Sequence, residues 1–195
     1  MQKRIAITGG IGSGKSLAAS YIAEMGYPTF SCDKINRELL SDSEYIKKIE
    51  AFFPACVIDG KINKSALKNV VFNNKASLQM LNEIAHPIIM KRLHLAMEQC
   101  DDTLVFAEVP LLFEGGFEND FDEVIVITRS LAKRIESVKN RDKLSEQEIQ
   151  ERISQQFDYT HLDERIKNIK AYVVQNEGDE LTLKNQICSI VETLK

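Results

Sequence analysis

The residues with the clearest chemistry in this chain are Gly9-Gly10-Ile11-Gly12-Ser13-Gly14-Lys15-Ser16. They match the spacing GxxxxGK[ST]. Glycines at such a spacing let the main chain curl so that successive N–H groups point at one anion. An amphipathic segment begins at once after the motif, so the positive end of a helix dipole adds to the same point. Lys15 supplies a full positive charge for phosphate oxygens, and the Ser16 hydroxyl suits a magnesium ion that bridges them. The predicted ligand is ATP with Mg2+. Gly10, Ile11, Gly12, Ser13, Gly14, Lys15, Ser16 and the main chain of Leu17 form its cradle.

A phosphoryl transfer also needs a group that orients or deprotonates the acceptor, and cations for the migrating charge. Asp33 follows a predicted strand, at the edge where open α/β sheets bind ligands. It suits either that role or the N-cap of a helix. Glu108 ends another predicted strand, where a carboxylate can hold a magnesium-bound water. Six cations (Arg129, Lys133, Arg134, Lys139, Arg141, Lys143) stand against Glu136 and Asp142 between 129 and 143, a local balance of +4 in a chain of net charge -4. Arg134 and Arg141 share a helical face, and Arg141 is expected to close over the triphosphate. His86-Pro87 reads as a helix start, with Pro at the first helical position and His86 beside an anion. Pro110, Leu111, Leu112 and Glu114, in the apolar PLLFE run, are expected to wall an acceptor pocket or simply to pack.

The elements that must position these residues follow from periodicity. Short apolar runs at 4–8, 27–30, 103–109, 123–127 and 172–175 read as strands buried on both faces. Helical patterns occupy 15–25, 131–141 and Glu180–Leu194, and Gly26 suits a helix C-terminus. Strands alternating with helices predict an α/β parallel sheet. The gap from 33 to 102 is far longer than a crossover needs, and reads as helical almost throughout. A second, charged insertion at about 142–156 reads as a helical flap.

Composition excludes several classes. The chain has 25 Lys and Arg against 29 Asp and Glu, so no overall basic field recruits nucleic acid. No apolar run approaches the roughly 18 residues of a membrane span. Four scattered cysteines form no CxxC pair, and the N-terminus passes directly into the glycine loop, so free thiols in the cytoplasm are expected. The guanine-reading NKxD and a DxxG switch are both missing, which argues against a signalling GTPase.

Taken together, TGGIGSGKS at 8–16, Asp33, His86-Pro87, VPLLFE at 109–114 and Arg141-Asp142 resemble the dephospho-CoA kinase family. Arg152, Gln155-Gln156, Asn176 and Gly178 extend the resemblance over nearly the whole chain. It implies a P-loop three-layer sandwich with a five-stranded parallel sheet, like that of the nucleoside monophosphate kinases. The core would comprise 1–32, 101–141 and 159–195, with a helical CoA-binding insertion at 33–100 and a lid at 142–158. ATP would phosphorylate the ribose 3′-hydroxyl of dephospho-CoA, with Asp33 aligned on that hydroxyl and Arg141 on phosphates. Asn176 and Gly178 would lie near adenine. His86, Pro110, Leu111, Leu112 and Glu114 would meet the acceptor, and Ser16 and Glu108 the metal. The implied partners are small molecules, with no nucleic acid or membrane, and a monomer or weak homo-oligomer. Two positions depart from the family: Leu17 stands where Thr is common, and Lys170-Ala171-Tyr172 where Ala-Asp often precedes the last strand. Another small-molecule P-loop kinase, such as a nucleoside monophosphate kinase, and a slow nucleotide-hydrolysing binding module remain alternatives.

Overall fold

The computed structural model describes residues 2–72 and 74–195. From the N-terminus the chain runs through β1 (Lys3–Thr8), α1 (Lys15–Glu24), β2 (Thr29–Ser31), α2 (Cys32–Leu39) and α3 (Ser43–Phe52). Next come β3 (Val57–Ile58), β4 (Lys61–Ile62), α4 (Lys64–Phe72) and α5 (Lys75–Glu98). It continues through β5 (Leu104–Glu108), β6 (Glu123–Thr128), α6 (Leu131–Asp142), α7 (Glu146–Ser154), α8 (Leu162–Arg165), β7 (Lys170–Gln175) and α9 (Glu180–Leu194).

Five of these strands form one parallel sheet in the order β2-β5-β1-β6-β7. Its central strand β1 pairs Lys3 to Ile7 with Leu104 to Glu108 on one side, and Ile5 to Thr8 with Glu123 to Val126 on the other. Period-two alternation then sends Ile5, Ile7, Phe106, Ile125, Ile127 and Val174 to one face. There they pack with Ala18 and Ile22 of α1 and with Leu183, Ile187 and Val191 of α9. The intervening Ala6, Val105, Ala107, Val124 and Val126 are also fully buried, which is why these strands read as continuous apolar runs.

The chain divides into two compact units, Met1–Phe30 with Gln99–Lys195, and Ser31–Glu98. In the second, α2, α3 and α4 pack on α5, around a core that includes Leu39, Ile49, Leu93 and Met97. Asp42 caps α3 by accepting from the Tyr45 N–H at 2.9 Å, and also pairs with Arg92 of α5.

Two local expectations are corrected here. The segment after residue 33 is not helical almost throughout: β3 and β4 form an antiparallel hairpin. Its turn is Asp59-Gly60, with φ of 50° and 70°, the positive pair that a two-residue hairpin turn demands. Nor does His86-Pro87 open a helix. Pro87 lies inside α5, which runs unbroken from Lys75 to Glu98. Burial of Ala85, Ile89, Met90 and Leu93 along one side holds the helix together across a residue that cannot donate a main-chain hydrogen bond. His86 therefore has no helix N-terminus beside it. Among the described residues no helix is long and apolar enough to cross a membrane.

Candidate active site

The loop from Gly9 to Gly14 leaves the C-terminal end of β1 and enters α1 at Lys15. Its shape is imposed by neighbours as well as by its own glycines. Gly12 has φ 76°, and a Cβ there would lie 2.5 Å from the main-chain oxygen of Arg134. Gly14 has φ 100°, and a Cβ there would lie 2.5 Å from the Asn176 amide nitrogen. Any side chain at either position meets both a backbone penalty and a collision.

Asn176 follows β7 and is buried. Its side-chain Nδ2 donates to the Ser13 carbonyl at 2.8 Å and its main-chain N–H to the Thr128 carbonyl at 2.8 Å. It is a strut between the end of the sheet and the loop, a role the sequence did not reveal. Gly178 comes two residues later; a Cβ there would lie 3.0 Å from that of Thr182, in the first turn of α9. Leu17 turns its side chain into the core against which α1 packs.

Ser16, in the first turn of α1, donates its hydroxyl to Glu108 Oε1 at 2.5 Å. Glu108 is the last residue of β5, buried, and in register with Ile7. A hydroxyl and a carboxylate brought together at the helix start are hard oxygen donors of the kind magnesium prefers. Lys15 stands beside Ser16 as the first residue of α1, half-buried.

The far side of the loop is held by α6 and by the chain returning from α7. Arg134 Nε donates to the Ile11 carbonyl at 2.9 Å, and the Ile11 N–H donates to Gln156 Oε1 at 2.8 Å. Arg134 Nη2 reaches that same Gln156 oxygen at 3.3 Å. Burial draws the Arg134 pKa below its ordinary value, which still leaves the guanidinium charged near neutrality. Tyr159 lies close by. Burial, reinforced by the Glu114 carboxylate, pushes its phenol up and keeps it neutral. Arg141 behaves differently: it pairs bidentately with its neighbour Asp142 at 2.8 and 2.9 Å and its side chain is 62% exposed.

The PLLFE run forms the turn after β5. Leu112 is fully buried, so it anchors the turn from within, whereas Pro110 and Leu111 are partly exposed. Glu114 Oε1 accepts from the Phe157 N–H at 2.8 Å. Phe113, Phe157 and Tyr159 pack in tilted and edge-to-face pairs, with centroid separations of 5.0, 5.3 and 6.3 Å. Arg165 completes the brace, donating to the Phe113 carbonyl at 3.1 Å and pairing with Glu118 at 2.7 Å. A cavity of about 750 Å3 opens beside this cluster, lined in part by Thr128, Arg134, Gln156, Phe157, Tyr159 and Gln175.

In the unit Ser31–Glu98, Asp33 occupies the first turn of α2, exposed. The N-cap is Ser31, so the alternative reading of Asp33 as a helix cap does not hold; it is a first-turn acid favoured by the helix dipole. His86 is half-buried on α5, and burial lowers its pKa, leaving a neutral imidazole.

A phosphate-binding loop between the first strand and helix of a parallel sheet, with a carboxylate from the adjacent strand against its serine, defines the class of P-loop kinases. The family model for dephospho-CoA kinase matches residues 3–181. A dephospho-CoA kinase of Fusobacterium nucleatum is 30% identical over 192 residues, 97% of each chain. A crystal structure from Thermus thermophilus superposes with a TM-score of 0.83 at 29% identity, covering 100% of this chain and 98% of that one. The dephospho-CoA kinase of Campylobacter jejuni superposes with a TM-score of 0.70 at 26% identity and the same coverage.

The chain belongs to the dephospho-CoA kinase family. Its activity is that family's ATP-dependent phosphorylation of dephospho-CoA, the step that yields coenzyme A.

Proposed function

We propose that Gly10 to Leu17 cradle the phosphates of ATP, that Lys15 and Arg141 carry charge on the phosphoryl in flight, and that Asp33 serves the ribose 3′-hydroxyl of dephospho-CoA. The Ser16–Glu108 pair, a hydroxyl and a buried carboxylate 2.5 Å apart at the head of α1, is the observation that carries this reading. Those two side chains would hold Mg2+, which when bound with the nucleotide neutralises phosphate charge. Asp33 accepts the hydroxyl proton as the ribose oxygen bonds to the terminal phosphorus. The bond from that phosphorus to the bridging oxygen breaks, and ADP leaves with the electron pair. Arg141 must exchange its Asp142 partner for phosphate to take part, a change that closure of the lid at 142–158 would bring about. Closure would also keep water from competing as acceptor.

His86, Pro110, Leu111, Leu112 and Glu114 are assigned to the acceptor side. For Leu112 and Glu114 the assignment is indirect, since one is interior and the other tethers Phe157; they shape the turn that Pro110 and Leu111 present. Asn176 and Gly178 support the nucleotide side. The partners are the small molecules ATP and dephospho-CoA, handled by a monomer or weak homo-oligomer. None of the cysteines Cys32, Cys56, Cys100 and Cys188 is held in a disulfide, which suits the reducing cytoplasm.

The test is a panel of acceptors, dephospho-CoA beside nucleoside monophosphates, followed by ADP release and by mass of the product. Dephospho-CoA gaining one phosphoryl group is expected. Turnover with a nucleoside monophosphate in its place would replace this acceptor assignment.

A further inference from the structure

Two hydrogen-bond donors converge on Gln156 Oε1: the main-chain N–H of Ile11 at 2.8 Å and the guanidinium of Arg134 at 3.3 Å. The peptide groups of Ile11 are thus held on both sides, because Arg134 Nε also takes the Ile11 carbonyl at 2.9 Å. A loop amide and a guanidinium aimed at one oxygen form the donor set with which proteins bind a phosphate oxygen. Here the oxygen belongs to a neutral carboxamide supplied from 145 positions further along the chain.

We propose that Gln156 is an internal stand-in for a nucleotide phosphate oxygen: it fills the Ile11 and Arg134 donors in the free protein, and the nucleotide must displace it. This deepens the assignment of the loop as the ATP site and rests on it. The surroundings suit a displacement confined to the side chain. The next residue is tied to the turn after β5, its N–H on Glu114 and its ring against Phe113, and the Gln156 side chain can withdraw without breaking either contact. Gln156 itself lines the cavity of about 750 Å3, which has room for a withdrawn carboxamide. A phosphate oxygen outcompetes the amide because charge-assisted hydrogen bonds are roughly twice as strong as neutral ones. The contest still lowers nucleotide affinity below what an unfilled loop would offer, so Gln156 is a residue that sets that affinity.

The prediction is a pair of opposite effects. Gln156→Ala removes the competitor and is expected to tighten ADP binding about three- to tenfold, the worth of one ordinary hydrogen bond. Gln156→Glu replaces it with a charged competitor and is expected to weaken binding by at least as much. Calorimetric titration of the full chain with ADP and magnesium reads both, with thermal unfolding confirming that each variant is folded. Weaker binding in the alanine variant, or no change in either, overturns the proposal while leaving the nucleotide site intact. An absence of ADP binding by the unmodified protein overturns the site assignment as well. A crystal structure of the unmodified protein with ADP gives a second reading that needs no variant. Gln156 is expected off the Ile11 amide, with a phosphate oxygen in its stead, and a retained Gln156–Ile11 hydrogen bond sinks the idea.

Discussion

Lys15 and Asp33 carry the two charges on which the proposed transfer depends, and they fail differently when removed. Lys15→Ala takes away a fixed cation from a site of developing negative charge. A loss of about 10²- to 10³-fold in kcat is expected from measured effects of removing one such electrostatic partner. Coupled detection of ADP reads it, and retained turnover would show that the loop amides suffice. Asp33→Asn keeps the size of the side chain and removes its basicity. A fall of about 10²- to 10⁴-fold in kcat with the KM for ATP unchanged is expected of a lost general base. If kcat holds, Asp33 has no part in proton transfer. The same contrast separates Arg134 from Arg141. Arg134 is already committed to the loop through Ile11, whereas Arg141 is tied to Asp142 and exposed, so only Arg141 must move to meet phosphate.

Among the elements, α5 carries the clearest internal conflict. Pro87 interrupts its hydrogen-bond ladder, and the residue itself is exposed, so no packing requires the ring. An interior proline costs a helix about 3 kcal/mol relative to alanine, offset by roughly 1 kcal/mol through its restriction of the unfolded chain. Pro87→Ala should therefore stabilise the protein by about 2 kcal/mol, read as a higher urea midpoint. If the same variant also loses activity with dephospho-CoA, the proline serves the acceptor; a lower midpoint would show that the helix is built around the proline. Helix α7 shows the opposite case, an element with its boundary well marked. Lys143, with φ of 54°, ends α6, and Ser145 with Glu148 forms a capping box that starts α7.

At the scale of the whole molecule, the end of the sheet that carries the glycine loop is balanced by an ionic clasp at the opposite end. Glu123 begins β6 and sits between Lys3 of β1, at 2.7 Å, and Lys170 of β7, at 3.3 Å. Burial alone pushes its carboxyl up, but hydrogen bonds from Lys3, Tyr172 and Lys170 outweigh it and hold the pKa below the ordinary carboxylate value. A carboxylate depressed in the folded state contributes stability above its unfolded pKa and loses it as pH falls through the folded one. Glu123→Gln should therefore be less stable than the unmodified protein at neutral pH, with the gap closing as pH drops below the usual glutamate range. Urea midpoints at a series of pH values decide it; a gap independent of pH would assign the effect to packing.

What could be read from residue order alone was what the chain determines over a few neighbouring positions. Glycines, Lys15 and Ser16 are contiguous, so their chemistry was visible at once. The helix Glu180–Leu194 was legible to the residue from its apolar spacing and matches α9. Local rules also misled or were passed over: Pro87 looked like a helix start because proline often is one, and Asp59-Gly60 is a hairpin signal lost within a helical pattern. The site's struts were decided only by packing. Ser16 meets Glu108 across 92 positions, Ile11 meets Gln156 across 145, and Ser13 meets Asn176 across 163. No periodicity encodes such pairings, because they exist only once the parallel strands have set β1, β5, β6 and β7 side by side and brought the loops at their ends within reach of one another.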